Sequence, residues 1–112
     1  MLLNWQEITS IEDLESHWNE TPNTKLYFKH STRCSISSMA LKMFEREWDS
    51  SNDCELLFID LIQYRDVSNL LAKLSNVIHQ SPQVIVVKNN VVIYSDSHGT
   101  IDATKIKTIL NS

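Results

Sequence analysis

Glycine is almost missing from this chain: Gly99 is the only one in 112 residues. That excludes the glycine-rich loops that cradle nucleotide phosphates. Cysteine is nearly as scarce. Cys34 and Cys54 stand 20 positions apart, with no Cys-x-x-Cys pair and without the roughly four ligands that a structural zinc site needs. Long apolar runs are also lacking. None exceeds four residues, as at Val84 to Val87 and Val91 to Tyr94, against the roughly 20 that a membrane span requires. Neither sign of charge is in large excess: 10 Lys+Arg against 14 Asp+Glu give a net charge of -4. No basic patch large enough to lead with nucleic acid emerges from that balance. Met1 to Asn4 shows neither a basic leader nor a long apolar stretch, so no signal peptide is expected. These absences predict a cytoplasmic protein with no nucleic-acid or membrane partner and with reduced thiols.

What is present is enough to fold. Hydrophobic residues make up 42% and charged residues 21%, which suits one compact domain over residues 1–112. Ser10 precedes Ile11, Leu14 and Trp18 at helical spacing, with Asp13 in the first turn, and Thr21-Pro22-Asn23 ends that helix. Lys25 to Lys29 reads as a short strand running into His30-Ser31-Thr32-Arg33-Cys34. From Ser35 a helical stripe of Ile36, Ala40, Met43 and Phe44 appears, widened by Leu41 and Trp48. Asp49 to Asp53 is a polar turn, and Glu45, Glu47, Asp49 and Asp53 read as a solvated charge cluster.

Glu55 to Leu61 reads as a strand covered on both faces. Asp66 or Ser68 can cap the next helix, whose stripe is Val67, Leu70, Leu71, Leu74, Val77 and Ile78 and which must stop before Pro82. Gln83 to Lys88 and Val91 to Ser95 form a hairpin turned by Asn89-Asn90, since Asn tolerates positive φ. A last helix, Thr100 to Leu110, buries Ala103, Ile106, Ile109 and Leu110. Strands separated by helices pair in parallel through right-handed crossovers, and the closing hairpin is antiparallel. The expected class is α/β, thioredoxin-like: a four-stranded mixed sheet with helices on both faces.

Cys34 falls where the first strand hands over to its helix. Unpaired backbone N–H groups and the positive dipole end favour a thiolate there, the reactive form of the thiol. Arg33, His30 and Lys29 add positive charge in the sequence nearby, and Ser37 can offer a hydroxyl to the sulfur across one turn. The segment Cys34-Ser35-Ile36-Ser37 puts serine where a resolving cysteine would stand. Attack on a disulfide should therefore stop at a mixed disulfide that needs another thiol for release. The plain alternative makes Cys34 a small cap residue. Pro82 fits the redox reading, because the loop entering the third strand of a thioredoxin-like fold faces the cysteine and carries a cis proline. Ser81 could then offer its backbone to a passing substrate. An ordinary trans proline that stops a helix is the alternative there.

Phe28 to Ser38 resembles the active-site segment of the monothiol bacilliredoxins, thioredoxin-fold proteins of the bacillithiol system. The resemblance continues at Val67-Ser68-Asn69, at His79-Gln80-Ser81-Pro82-Gln83, and at Ser97-His98 followed by Ile101. It implies Cys34 as the nucleophile that removes bacillithiol or a similar small thiol from protein mixed disulfides, in a general stress or repair setting. It also implies a substrate site of Ser31, Thr32, Arg33, Ser37, Ser81, Pro82 and Gln83, with His30, His79 and His98 able to tune it. No bound cofactor or metal is implied; the small thiol is a co-substrate, and the partners are protein clients and a recycling reductase. Family members often place Pro after the nucleophile, where this chain has Ser35.

Other candidates weigh less. The acidic neighbours Asp53 and Glu55 should raise the Cys54 thiol pKa and leave it inert. The histidines match no metal-ligand spacing, so tuning or packing is the better reading of each, and His98 beside Gly99 reads as a turn residue. Asp60 is either a buried carboxylate aiding proton transfer or a strand-end residue facing solvent. Trp5, Trp18 and Trp48 read as core or core-edge residues. The competing functional class is a thioredoxin-like binding or adaptor module in which Cys34 is incidental.

Overall fold

A computed structural model describes residues 2–20, 23–51 and 53–111. The elements are β1 (Gln6–Glu7), α1 (Ile11–Asn19), β2 (Thr24–His30), α2 (Ser35–Glu47), β3 (Glu55–Asp60), α3 (Arg65–Ser75), β4 (Gln83–Lys88), β5 (Val91–Ser97), a 3-10 turn (His98–Thr100) and α4 (Ala103–Leu110). They build a five-stranded sheet in the order β1-β3-β2-β4-β5. β1, β3 and β2 run parallel, and β4 pairs antiparallel with both β2 and β5. The expected four strands thus gain a fifth, β1, which pairs Gln6 with Leu57 and Glu7 with Phe58. Two exposed polar residues carry no periodicity, so composition could not announce it.

Period-two alternation of β2 feeds two cores. Leu26 and Phe28 face α2 and α4 with Leu41, Phe44, Trp48, Phe58 and Ile106. Tyr27 faces α1 and α3 with Leu14, Trp18, Leu57, Val67 and Leu71. Trp18 and Trp48 are buried, and Trp5 packs against the first core. Asn supplies the left-handed backbone that glycine usually provides: Asn89 (φ 53°) and Asn90 (φ 62°) turn the hairpin, and Asn76 (φ 57°) ends α3.

Several elements differ in detail from their sequence reading. Ser10 does cap α1, its Oγ accepting from Asp13 N–H at 3.0 Å. The helix ends at Asn19, and Thr21 and Pro22 of the expected stop lie outside the described residues, as does Asn52 of the polar turn. α3 is preceded by Tyr64, so Asp66 and Ser68 sit inside the helix rather than at its cap. It stops at Ser75, well before Pro82, and leaves Ile78 outside the helix and 82% exposed. α4 starts at Ala103, capped by Asp102, while Thr100 belongs to the 3-10 turn.

The largest correction concerns α2. Its buried face is Ser37, Leu41, Phe44 and Glu45, whereas Ile36, Met39 and Met43 are exposed. Glu45 is therefore no member of a solvated cluster. One carboxylate oxygen, Oε2, accepts from Leu2 N–H (2.9 Å), Leu3 N–H (3.1 Å) and Trp5 Nε1–H (2.9 Å). It ties the N-terminal segment to the helix. Glu45→Ala strands those three donors and should lower stability by about 2 kcal/mol in urea titration. An unchanged midpoint would show the tie to be energetically idle. Asp49 is instead paired with Lys107, 2.7 Å away.

Candidate active site

Three chain segments leave the same end of the sheet. β2 ends at His30, β4 begins at Gln83 opposite Lys29, and β5 ends at Ser97 opposite Gln83. Three of the four segments singled out by sequence, Phe28 to Ser38, His79 to Gln83 and Ser97-His98, therefore converge around the β2–α2 junction. Pro82 O accepts His98 N–H at 3.0 Å, which joins two of them directly. The Ser81–Pro82 peptide is cis. His98 is an exposed turn residue with φ 56°.

Cys34 is the N-cap of α2, with extended backbone (φ -118°, ψ 119°) and no side-chain cap bond. Its N–H donates to Ser31 O (3.3 Å), and its carbonyl accepts Ser38 N–H (3.1 Å). The backbone is thus fixed while the half-buried thiol is left uncommitted to the cap. A helix N-terminus presents donor groups to a developing anion at that place. Thr32 and Arg33 are exposed beside it, and Arg33 makes no ion pair among the described residues.

Ser37 does not turn its hydroxyl to the sulfur. It is fully buried, accepts Ser31 N–H at 3.0 Å, and lies 2.7 Å from His30 Nδ1. Its effect on Cys34 is to fix the turn that precedes it. His30 is itself buried, 5.6 Å from the Phe58 ring. Burial lowers its pKa against the opposing pull of Asp60, so at neutral pH it is an uncharged hydrogen-bonding ring rather than the cation the sequence suggested.

Lys29 also departs from expectation. Strand alternation sends it to the α3 face, away from α2, where it is fully buried. Its Nζ donates to Ser68 O at 3.0 Å and lies 3.3 Å from His79 Nδ1. Burial lowers its pKa to about 8. This cluster was missed; the available signal was a lysine directly after the apolar run Leu26-Tyr27-Phe28 of the central strand. Gln83 is buried and turned back on its own loop, Nε2 donating to Ile78 O at 2.9 Å and Oε1 accepting Gln80 N–H at 3.4 Å. It shapes the approach to Ser81 instead of facing outward.

Cys54 sits at the opposite end, just before β3, its Sγ 3.7 Å from Glu55 O. Burial first, then Glu55 and Asp53, push its pKa up to about 12. Asp60 is a strand-end residue, the last of β3 and half-buried; its carboxylate accepts Ile62 N–H (3.1 Å) and Gln63 N–H (3.2 Å) and closes the turn that follows. No helix among the described residues is long and apolar enough to cross a membrane. Nor do three His, Cys, Asp or Glu residues among them gather closely enough to hold a metal ion.

Among solved structures, a protein with a thioredoxin fold superposes with a TM-score of 0.81 at 28% identity, over 94% of this chain and 92% of its own. Reduced Schistosoma mansoni thioredoxin gives 0.72 at 16% identity, covering 96% and 95% of the two chains. Trypanosoma brucei brucei thioredoxin gives 0.72 at 11% identity, covering 99% and 91%. The two thioredoxins, at such identities, show the fold alone. The sequence profile described as monothiol bacilliredoxin BrxC matches residues 6–106. With the thioredoxin fold in place and a thiol at its strand-to-helix junction, the chain belongs to the monothiol bacilliredoxin family and has a thiol redox function.

Proposed function

We propose that this protein is a thiol-disulfide oxidoreductase that removes bacillithiol, or a similar small thiol, from protein mixed disulfides through Cys34. The observation that carries this reading is a nucleophile position with no second thiol in reach. Cys34 is uncapped at the α2 N-terminus, Ser37 occupies the place of a resolving cysteine, and Cys54 lies at the far end of the sheet.

In the first step the Cys34 thiolate attacks the bacillithiol sulfur. The client–bacillithiol S–S bond breaks, a Cys34–bacillithiol S–S bond forms, and the client sulfur leaves as a thiolate that takes a proton from water. In the second step a thiol from another small molecule, or from a recycling reductase, attacks the bacillithiol sulfur and releases Cys34 as thiolate. The chain itself is returned unchanged, and the reducing equivalents come from the incoming thiols. Thr32, Arg33 and the Ser31 backbone line the small-thiol side. The exposed guanidinium of Arg33 suits a carboxylate on that thiol. Ser81 and Pro82 position the client, and His30 and Ser37 hold the turn. The setting is cytoplasmic stress repair, with protein clients and a reductase as partners and no resident cofactor.

Intact-mass measurement tests this reading. Cys54→Ser protein mixed with a client–bacillithiol disulfide should gain one bacillithiol while the client loses it. A Cys34→Ser variant should gain none and slow client reduction by at least about 1,000-fold. Client reduction that survives Cys34→Ser would sink the proposal. Stable client binding without any transfer would favour the adaptor module.

A further inference from the structure

An ammonium group buried without a carboxylate is an expensive arrangement. Lys29 is fully buried, and among the described residues it has no ion pair. Its partners are Ser68 O at 3.0 Å and His79 Nδ1 at 3.3 Å, and Ser68 Oγ lies 3.4 Å from the same ring nitrogen. The register neighbours on either side are uncharged, Ile59 from β3 and Gln83 from β4. Arg65, at the start of α3, adds positive potential at His79. Burial first, then Lys29 and Arg65, lower the His79 pKa and favour the neutral ring, and its Nε2–H tautomer presents the Nδ1 lone pair to the ammonium.

Of its two polar partners, Ser68 O belongs to α3 and His79 to the segment that joins α3 to β4. The same segment is held from its other side by Gln83, through Ile78 O and Gln80 N–H. Its end, Pro82, accepts His98 N–H. An apolar side chain at position 29 would fill the same space but offer nothing to His79. The ammonium connects the strand that leads to Cys34 with the loop that carries Ser81.

We propose that Lys29 is a positioning residue: anchored on Ser68 O, it clamps His79 and thereby holds Ser81 and Pro82 in place for a client disulfide presented to Cys34. The functional half rests on the Cys34 reading above, whereas the clamp itself rests on geometry alone. Lys29→Met and His79→Phe cut the clamp at its two ends, and His79 is only partly buried, so the second variant tests the idea if the first folds poorly.

Amide hydrogen exchange across residues 76–83 is one readout, and kcat and KM for reduction of a client–bacillithiol disulfide are the other. Both variants should exchange the loop amides at least about 10-fold faster while the central amides of β2 and β3 stay protected. KM for the client should rise about 10-fold with kcat within about 2-fold of wild type. Loop amides as protected as in the wild type would overturn the clamp. A loosened loop with unchanged KM would overturn its role in client positioning. If the wild type itself reduces no mixed disulfide, the Cys34 reading falls, and the amide exchange still decides the clamp.

Discussion

Ser37→Cys, made in a Cys54→Ser background, should release a small thiol from Cys34 at least about 100-fold faster than the Cys54→Ser parent, with no external thiol added. The parent can only hold its Cys34 adduct until another thiol arrives. In the variant the new sulfur at position 37 attacks Cys34 Sγ, the Cys34–small-thiol bond breaks, and the small thiol leaves. A disulfide between Cys34 and position 37 remains. The reaction becomes intramolecular because the two residues share the first turn of α2. The gain has a structural cost. Ser37 Oγ accepts Ser31 N–H and pairs with His30, and sulfur is a weaker partner for both. The variant should therefore lose about 1–2 kcal/mol of stability. Rapid acid quenching and mass spectrometry follow the adduct directly. An adduct as long-lived as in the parent would mean that position 37 cannot reach Cys34, and that the monothiol character rests on more than one missing sulfur.

Lys29→Met should stabilise the protein at pH 7 by roughly 2 kcal/mol, a sign opposite to that of most buried substitutions. Burial lowers the folded-state pKa of Lys29 from 10.5 to about 8. Between those values the folded chain binds fewer protons than the unfolded chain, so this group makes stability rise with pH across that window. Below about 8 both states are charged and the full burial penalty applies. Methionine fills a similar volume without the charge and forfeits only the hydrogen bonds to Ser68 O and His79. The excess stability of the variant should shrink as pH rises from about 8 to 10.5. Paired denaturant titrations at pH 7 and pH 10 read this difference. A variant less stable than wild type at pH 7 would show that the bonds of the ammonium outweigh its desolvation, and a gap that does not change with pH would show a folded-state pKa no lower than the unfolded one.

Where a residue's environment is local, the sequence disclosed it. The apolar run from Glu55 to Leu61 marked a strand covered on both faces. Asn89-Asn90 marked a tight turn, and Ser10 marked a helix start. The position of Cys34 at the strand-to-helix junction followed from the same local patterns, whereas the cis bond before Pro82 was expected only through the thioredoxin-like fold.

Environments made by distant chain were hidden. Glu45 sits in a charged stretch, yet its partners lie some 40 residues earlier; it is buried by segments that hydropathy cannot connect. Lys29 looked like a cation beside the thiol until the pleat sent it to α3 and His79. On α2 two stripes compete. Ile36 and Met43 are apolar but exposed, while the buried stripe contains Ser37, whose hydroxyl is satisfied by His30 and Ser31. Hydropathy favours the wrong stripe because it cannot credit a polar group with partners that only the fold brings together.

The tie made by Glu45 also decides where additional mass can be hung on this molecule. Cys34 stands at one end of α2 and Glu45 near the other, about 15 Å along the axis, and Leu2 is fastened to Glu45. Asn111 comes to the same far end, lining a hollow with Thr24, Cys54, Glu55 and Lys88. A fluorescent reporter, an affinity handle or a second catalytic unit joined at either place would grow away from the thiol. The reactive edge would stay open to large clients, as a fusion-based redox sensor requires.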